Sequence, residues 1–466
     1  MVFSSFIFLW FFLPPVFLLG MICRKPALQN ILLLLASLFF YAWGEPVYVL
    51  LLLFSIVFNW GCGMLMPRAK KPVLVLSVSV NLILLGVFKY ADFVTNTLGR
   101  LLPFLHIPRV ALPLPIGISF FTFQAMAYII DLYRGKYEVQ KDPLKLALYI
   151  SFFPQLIAGP IVRYSDIEKQ LSERSITLSG VSAGIRRFTY GLAKKVLIAN
   201  VCAAVCDRLL EHPVTELGFA ASWIAAAAYT LQIYYDFSGY SDMAIGLGKI
   251  FGFTFPENFD LPYLSRSISE FWRRWHMTLG SWFRDYLYIP LGGNRKGKIR
   301  THVNLLIVFA LTGLWHGATW RFVIWGLWHG AFSVLERLGL EKFLKKHPLI
   351  AHIYTIMVFT LGWVIFRADS LSAALLQFKN MLLPWTAAVP GVRYGIYIGW
   401  RHWAVMLLAV LLCGPLQTAF AKGKAAKQKE RFSGSFAELL CCALLLLVSF
   451  VSLGADSYNP FIYFRF

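Results

Sequence analysis

Apolar segments that are long enough to cross a lipid bilayer recur along the chain, separated by short polar stretches. A helical crossing needs about 20 apolar residues. The clear candidates are Ser4–Cys23, Pro46–Met66, Val73–Phe88, Ile353–Phe366, Trp403–Phe420 and Phe436–Val451. Shorter or interrupted candidates are Gln29–Tyr41, Pro115–Ile130, Leu146–Ile161, Ser182–Cys206, Leu217–Phe253 and Val303–Leu335. The pattern predicts an all-α polytopic membrane protein, with residues 1–466 in one integral-membrane domain of about a dozen spans or re-entrant segments.

Composition agrees with a membrane location. Hydrophobic residues make up 58% of the chain and charged residues 14%, whereas soluble domains carry about 25% charged residues. The mean hydropathy is +0.63. The N-terminus has neither a basic start nor a small-residue cleavage site, so we expect a retained anchor rather than a cleaved signal peptide.

The net charge of +21 is concentrated in the loops between the apolar segments. The basic clusters are Arg24-Lys25, Arg68 to Lys71, Arg163 to Arg174, Arg295 to Arg300, Arg337 to Lys346 and Lys422 to Arg431. Such loops face the cytoplasm under the positive-inside rule, and their partners are membrane lipids rather than nucleic acid. This places the polar loop 422–435 in the cytoplasm and the aromatic tail 457–466 outside.

Two stretches do not fit simple crossings. His302–Glu336 has basic residues on both sides, and as one straight helix it would be about 50 Å long. We therefore predict that it crosses twice or dips in and returns, with a bend near Gly313 or Gly317. The proline-rich stretch Leu112–Gly117 is predicted to be irregular backbone inside the membrane, which is tolerated only where protein or a cavity covers it.

The segment LTGLWHGATWRFVIWGLWHGA, Leu311 to Ala331, contains His316 and His329. An ionisable group at membrane depth suggests function, and neutral imidazole can take and return a proton during acyl transfer. On a single helix the two rings would lie about 20 Å apart, so we expect them not to share a site. The alternative for either residue is a hydrogen-bonded packing histidine.

The segment EFWRRWHMTLGSWFRDYLYIPLGGNR, Glu270 to Arg295, is rich in arginine and tryptophan. Trp272, Arg273 and His276 are spaced to line one helical face. Such a helix can simply lie in the membrane interface. The functional alternative is that Arg273 and Arg274 receive the phosphates of a donor of the coenzyme A or phosphopantetheine type.

Two acidic residues, Asp236 and Asp242, lie in the segment YYDFSGYSDMAIG, Tyr234 to Gly246. They suit a proton path, cation ligands, helix caps or partners for the basic segments, and we favour caps and partners. The seven cysteines lie mostly in apolar segments, which is typical of small buried hydrophobes. We expect no disulfide and no metal site.

These segments together resemble the membrane-bound O-acyltransferases, and among them the AlgI-like alginate O-acetylases. The resemblance covers most of residues 113–336. Its motifs are FFTFQAMAYIID (Phe120–Asp131), FFPQLIAGPIVRY (Phe152–Tyr164), YYDFSGYSDMAIG, FPENFDLPYLSRSISEFWRRWHMTLGSWFRDYLYIPLGGNR (Phe255–Arg295) and LTGLWHGATW (Leu311–Trp320). It implies a helical bundle around a central tunnel, with the family histidine at His316 and the second polar position at His276.

The activity implied is transfer of acetyl from a cytoplasmic thioester such as acetyl-CoA, with no tightly bound cofactor, to an extracytoplasmic polysaccharide such as alginate. His316 is then the general base, and His276 orients the donor or stabilises the oxyanion. Trp315, Trp320 and Trp275 wall the tunnel and exclude water, and His329 is a further tunnel candidate. The implied setting is the bacterial inner membrane, with an SGNH-type extracytoplasmic acetyltransferase as partner.

Two other functions stay open at this point. One is D-alanyl transfer to teichoic acid, and the tail FIYFRF (Phe461–Phe466) resembles that of the small peptide that accompanies such enzymes. The tail is either an outer-side element near the tunnel or an aromatic interfacial anchor. The other function is a non-catalytic transporter or flippase, in which the histidines relay protons.

Overall fold

The computed structural model describes residues 1–110, 112–386, 395, 398–420, 434–455 and 458–462. It is 76% helical, and no strand occurs in these residues, which confirms the prediction of an all-α fold. Most of the predicted loop 422–435, and residues 457 and 463–466 of the aromatic tail, lie outside the described residues.

The helices fall into two groups along the chain. The first group is α1 (Leu13–Ile22), α2 (Pro26–Gly44), α3 (Val49–Leu65), α4 (Lys70–Leu85), α5 (Ala91–Leu101), α6 (Ile118–Tyr133), α7 (Pro143–Ser151), α8 (Phe153–Leu156), α9 (Tyr164–Ile167), α10 (Gln170–Glu173), α11 (Leu178–Ala193) and α12 (Asn200–Leu210). The second group is α13 (Phe219–Ile250), α14 (Ile268–Arg274), α15 (Met277–Phe283), α16 (Lys298–His316), α17 (Trp320–Leu335), α18 (Glu341–Lys346), α19 (Pro348–Arg367), α20 (Leu371–Leu382), α21 (Trp400–Leu412), α22 (Pro415–Phe420) and α23 (Phe436–Ala455). Turns of π-helix occupy Phe8–Phe12, Gly86–Tyr90, Lys194–Ala199, Arg284–Tyr288 and Glu336–Leu340, and 3₁₀ turns occupy Pro103–Leu105, Val214–Glu216 and Pro262–Leu264.

Membrane-spanning helices form a large part of the described chain. Five continuous helical segments are long and apolar enough to cross a bilayer: Pro26–Gly44, Lys70–Leu101, Leu178–Leu210, Pro348–Arg367 and Phe436–Ala455. Shorter apolar helices accompany them at Phe8–Ile22, Val49–Leu65, Ile118–Tyr133 and Trp400–Leu412. Two basic loops meet at one end of α2: Arg24-Lys25 come just before its first turn, and Arg174 donates to Asn30 Oδ1 at 2.5 Å. We call this end of the helices the basic face.

Helices α16 and α17 form the predicted hairpin. Helix α16 ends at His316, Gly317 has extended backbone, and α17 returns from Trp320. The two helices pack backbone against backbone, because a Cβ atom on Gly313 would lie only 2.1 Å from the Phe322 carbonyl oxygen. The bend near Gly317 is thereby confirmed.

The prediction of a helix through His276 is wrong, because the helix is interrupted there. Helix α14 ends at Arg274, Trp275 is extended and His276 has a left-handed φ of 45°. Backbone groups of a preceding loop take over the hydrogen bonds at this point: Asp260 N–H donates to the Arg274 carbonyl at 2.9 Å, and Met277 N–H donates to the Asn258 carbonyl at 3.0 Å. Trp272 and His276 therefore do not share a helical face.

The stretch before α6 is irregular, as predicted. Gly117 has a φ of 78°, and a Cβ atom there would lie 2.7 Å from the Leu156 carbonyl oxygen. Leu156 itself is fully buried in the short helix α8. The non-helical backbone at Gly117 is thus covered by protein, as the bilayer requires of irregular backbone at membrane depth, whereas Leu112, Pro113 and Leu114 are exposed.

Candidate active site

His316 is the last residue of α16, where its ring lies in an aromatic environment. Its ring centroid is 4.9 Å from that of Trp315, 5.1 Å from Trp325 and 5.4 Å from Phe366. Across the described parts of the chain the imidazole makes no hydrogen bond. It lines two cavities, so its nitrogen atoms are available to a bound molecule.

The first of these cavities, which we call the outer cavity, has a volume of about 210 Å³. Lys89, Ser119 and Trp315 line it with His316, and it reaches the surface near Leu114, which is exposed. Its wall also includes Ile116, whose N–H donates to Glu45 Oε1 at 3.2 Å. Glu45 follows the end of α2 that is remote from Arg24-Lys25, so this cavity lies toward the face opposite to the basic loops.

His276 is buried, and a hydrogen-bond network fixes its ring. Its Nδ1 lies 3.2 Å from Asn258 Oδ1, the oxygen that also accepts from the Thr278 N–H at 3.2 Å and the Thr278 hydroxyl at 2.8 Å. Because a backbone N–H can only donate, the Asn258 atom that faces it must be the oxygen. His276 Nδ1 therefore carries a proton, and in the neutral ring Nε2 bears the lone pair.

A much larger cavity, which we call the basic-face cavity, lies on the other side of His276. Its volume is about 1020 Å³, and Asn258 and Met277 form part of its wall. It reaches the surface of the basic face, because the side chains of Glu257 and Asp260 in its wall are 52% and 64% exposed. Its cationic lining residues are Arg186, Arg187, Lys194 and Lys249.

Carboxylates partner several of these cations. Asp242 receives Arg187 and Lys194, each at 2.6 Å, and Arg187 also contacts Glu257 at 2.6 Å. Asp236 pairs with Lys195 at 2.9 Å. Both aspartates lie in the interior of α13, so the expectation of helix caps is wrong, whereas the expectation of partners for basic residues is confirmed.

The pair Lys195–Asp236 also binds the C-terminal segment. Lys195 Nζ donates to the Pro460 carbonyl, and Asp236 Oδ2 accepts from the Ile462 N–H at 2.9 Å. Ile462 borders a small cavity of about 20 Å³ together with His316 and Trp275. The described part of the tail thus lies beside His316.

Trp315 links the two histidines of this site. Its ring lies 6.1 Å from that of His276 and 4.9 Å from that of His316. Trp275 also lies at the site and is 3% exposed. Trp320, by contrast, is 56% exposed and contacts Phe93, so it does not wall this space.

The two predicted phosphate-binding arginines lie outside the cavity walls that the structure describes. Arg273 is exposed, and Arg274 is bonded to Glu270 at 3.0 Å and to Asp260 at 3.4 Å. The prediction for these two arginines rested on their position next to tryptophan and histidine in the sequence. Three of the four cations that line the basic-face cavity instead come from the pattern GIRRFTYGLAKK, Gly184 to Lys195, which the apolar residues around it obscure, and the fourth, Lys249, lies in α13.

His329 is closer to His316 than a single helix would allow. The two residues lie on different helices of the hairpin, and both rings contact Trp325, at 5.1 Å and 5.2 Å. His329 is fully buried, and neither ring nitrogen has a hydrogen-bond partner in the described chain. It lines none of the cavities described above.

Sequence comparisons identify relatives over the whole chain. The model of the membrane-bound O-acyltransferase family matches residues 136–366. A protein named "Probable alginate O-acetylase AlgI" from Pseudomonas putida is 40% identical over 100% of both chains. A peptidoglycan O-acetyltransferase from Helicobacter pylori is 38% identical over 82% of this chain and 80% of its own. A teichoic acid D-alanyltransferase from Bacillus subtilis is 29% identical over 49% of this chain and 61% of its own.

Proposed function

Since the chain belongs to the membrane-bound O-acyltransferase family, we propose that it passes acetyl from a cytoplasmic thioester to the outer side of the membrane. It is a multi-pass membrane O-acetyltransferase. The proposed end product is an O-acetylated extracytoplasmic polysaccharide such as alginate, the polymer named for its relatives at 38–40% identity over the full chain.

The observation that carries the proposal is the pair of cavities on the two sides of the histidines. Asn258, which bonds to His276, lines the basic-face cavity, and His316 lines the outer cavity. Trp315 contacts both rings. A donor entering from one face and an acceptor entering from the other can therefore meet at the same two histidines.

The proposed reaction is direct attack of an acceptor hydroxyl on the thioester. His316 takes the hydroxyl proton as the oxygen bonds to the carbonyl carbon. The carbon–sulfur bond then breaks, and His316 returns the proton to the leaving thiolate. Trp315 and Trp275 exclude water, which would otherwise hydrolyse the thioester.

The hydrogen bonds of His276 favour one of its two predicted roles. With Nδ1–H donated to Asn258 Oδ1, the neutral ring offers only an acceptor at Nε2. An oxyanion needs a donor, whereas an amide N–H of a pantetheine-type arm needs an acceptor. We therefore assign His276 to orientation of the donor.

The donor in this proposal is acetyl-CoA or another acyl thioester with phosphates. The basic-face cavity, at about 1020 Å³, is as large as the pockets of about 300–1000 Å³ that hold drug-sized ligands. Arg187 and Lys194 line it, and arginine forks suit phosphate oxygens. They replace Arg273 and Arg274 as candidates for donor binding.

The setting and partners follow from this direction of transfer. The basic loops are cytoplasmic under the positive-inside rule, so we propose the bacterial inner membrane as the location. An SGNH-type extracytoplasmic acetyltransferase is the proposed partner on the outer face, where it would receive acetyl groups or deliver them to the polymer.

The test is the O-acetyl content of the surface polysaccharide in a deletion strain. The strain is complemented with wild type, His316→Ala or His302→Ala at equal membrane levels; His302 is a matched control on the same helix α16. Loss of acetyl with His316→Ala alone supports the proposal. Retention of acetyl with His316→Ala contradicts it, and a proton current that depends on substrate would then favour a transporter. Labelled D-alanine on the polymer instead of acetyl would favour D-alanyl transfer.

A further inference from the structure

The cavity of about 20 Å³ beside His316, which we call the small cavity, lies at the centre of the site. His316 lines both this space and the outer cavity. Phe237 in its wall also contacts the His276 ring, with 4.6 Å between the ring centroids. The small cavity therefore lies between the two histidines at which donor and acceptor are proposed to meet.

Two helices and the C-terminal segment supply most of the wall of the small cavity. The helical residues are spaced by four and by three positions, so each pair lies on one helical face. These apolar wall residues are Ile233 and Phe237 of α13, Trp363 and Phe366 of α19, and Ile462. All of them are at most 4% exposed. A small cavity with such a wall suits an apolar group rather than an ordered water molecule, which needs polar partners.

The volume of the small cavity matches one methyl group. A cavity of about 10–15 Å³ holds one water molecule, and a methyl group is of similar size, so about 20 Å³ leaves little further room. Other aromatic rings support the wall: the Trp363 ring lies 5.0 Å from that of Trp275 and 5.8 Å from that of Trp325, and the Phe366 ring lies 4.9 Å from that of Trp325. An extra methylene in such packing forces side chains out of position.

We propose that the small cavity binds the methyl group of the acetyl donor, and that Ile233 in its wall limits the length of the acyl chain that is transferred. This inference rests on the proposed function, since it concerns the donor of the same reaction. With the methyl group in the cavity, the carbonyl carbon lies at its mouth and faces His316. A propionyl group needs space for one more methylene, which the wall does not leave.

The same wall disfavours a D-alanyl group. D-alanyl carries a methyl group and an ammonium group on the carbon next to the carbonyl, so both groups would enter the small cavity. No acidic side chain lines this cavity among the residues that the structure describes, and a buried cation without a partner is costly. The small cavity therefore favours acetyl over D-alanyl by charge as well as by size.

The experiment compares acetyl-CoA, propionyl-CoA and butyryl-CoA as donors in permeabilised membranes of the protein's own host, so that the full chain works with its partners. The readout is the initial rate of CoA release above that of His316→Ala membranes, because later transfers of the acyl group then do not set the selectivity.

The variants shorten one side chain of the wall in two steps. Ile233→Ala removes the side chain beyond Cβ, and Ile233→Val removes a single methylene, which keeps the test valid if the larger change impairs folding. The matched control is Ile250→Ala. Ile250 lies on the same helix α13, is 4% exposed like Ile233, and lines none of the cavities described above.

We expect wild type to favour acetyl over propionyl about 10- to 200-fold in kcat/KM, the range that one methylene gives in an apolar pocket. Ile233→Ala should narrow this ratio at least about 10-fold and also admit butyryl, whereas Ile233→Val should narrow the ratio for propionyl alone. Ile250→Ala should keep the wild-type ratio. A purely structural role for Ile233 would change the rates with all three donors by the same factor.

Three results would overturn the inference: equal use of acetyl and propionyl by wild type, an unchanged ratio in both Ile233 variants, or the same change of ratio in Ile250→Ala. The small cavity would then be a gap in the packing without a role in donor selection. In these cases CoA release that depends on His316 would still leave the proposed function standing. The proposed function itself fails if His316→Ala releases CoA from acetyl-CoA as fast as wild type does.

Discussion

Substitution of Gly313 by alanine tests whether close packing of the α16–α17 hairpin positions His316. The added Cβ would lie 2.1 Å from the Phe322 carbonyl oxygen and 3.2 Å from the Gly326 backbone nitrogen. Both atoms belong to backbone, so no side chain can rotate away. The helices must separate, and His316, three residues further along α16, moves with them.

The expected cost follows from this geometry. Overpacking of a well-packed contact costs about 1–3 kcal/mol and occasionally more, and a contact as short as 2.1 Å belongs at the upper end. A catalytic group displaced by about 1 Å can lose about 100-fold in rate. We expect Gly313→Ala to unfold at a lower temperature in detergent and to lose at least about 10-fold in acetyl transfer.

The matched control is Gly61→Ala. Gly61 lies within helix α3, and a Cβ atom there would meet nothing within 4 Å. Because alanine favours helix over glycine by about 1 kcal/mol, this variant should be as stable as wild type or slightly more stable, with unchanged activity. If Gly313→Ala behaves like Gly61→Ala in both assays, the hairpin does not hold His316 as described.

Three further substitutions test other parts of the site. Lys195→Met leaves Asp236 buried without its cation, which costs about 3–5 kcal/mol, so it should lower the unfolding temperature. Adding Asp236→Asn should restore part of that loss. An unfolding temperature equal to that of wild type in the single variant would show that the ion pair does not stabilise the fold. Asn258→Ala should reduce kcat/KM about 10- to 100-fold, because the His276 ring loses its hydrogen-bond acceptor. Asn258→Asp keeps an oxygen acceptor and should retain more activity. An equal loss in both variants would show that Asn258 Oδ1 does not orient the His276 ring. Arg187→Gln should raise KM for acetyl-CoA about 10-fold but leave KM for acetyl-pantetheine, which lacks phosphates, unchanged. A rise in KM with both donors would show that Arg187 does not bind the donor phosphates.

The apolar pattern and local glycines predicted much of the fold. The hairpin of α16 and α17 followed from a length argument, because its stretch between two basic loops was too long for one crossing. The irregular backbone before α6 followed from its prolines. These features depend on residues close together in the chain, so they can be read from the sequence.

Contacts between distant residues could not be predicted. The helical period through Trp272 and His276 was overridden because Asn258, 18 residues away, bonds to the His276 ring. Lys89 meets the Trp315 carbonyl from 226 residues away. A lysine within a long apolar helix was the available signal, and only the tertiary structure shows what lies next to it.

The predicted site residues show the same contrast between features set by nearby residues and contacts between distant ones. His316 and His276 lie on neighbouring sides of Trp315, as a shared site requires, but the choice of Arg273 and Arg274 rested on their neighbours in the sequence. Which face of a short helix points into a cavity depends on how it packs. The basic residues of α11 and the turn after it line the basic-face cavity instead.

The central claim is that acetyl crosses the membrane through His316, and inverted membrane vesicles from the host test it most directly. Their cytoplasmic face points outward, so radiolabelled acetyl thioester is supplied outside while the polysaccharide acceptor is enclosed. We predict that O-acetyl ester accumulates inside the vesicles, that the thiol product stays outside, and that His316→Ala abolishes the accumulation while His302→Ala does not. Accumulation that persists in His316→Ala vesicles at the wild-type rate would contradict the account.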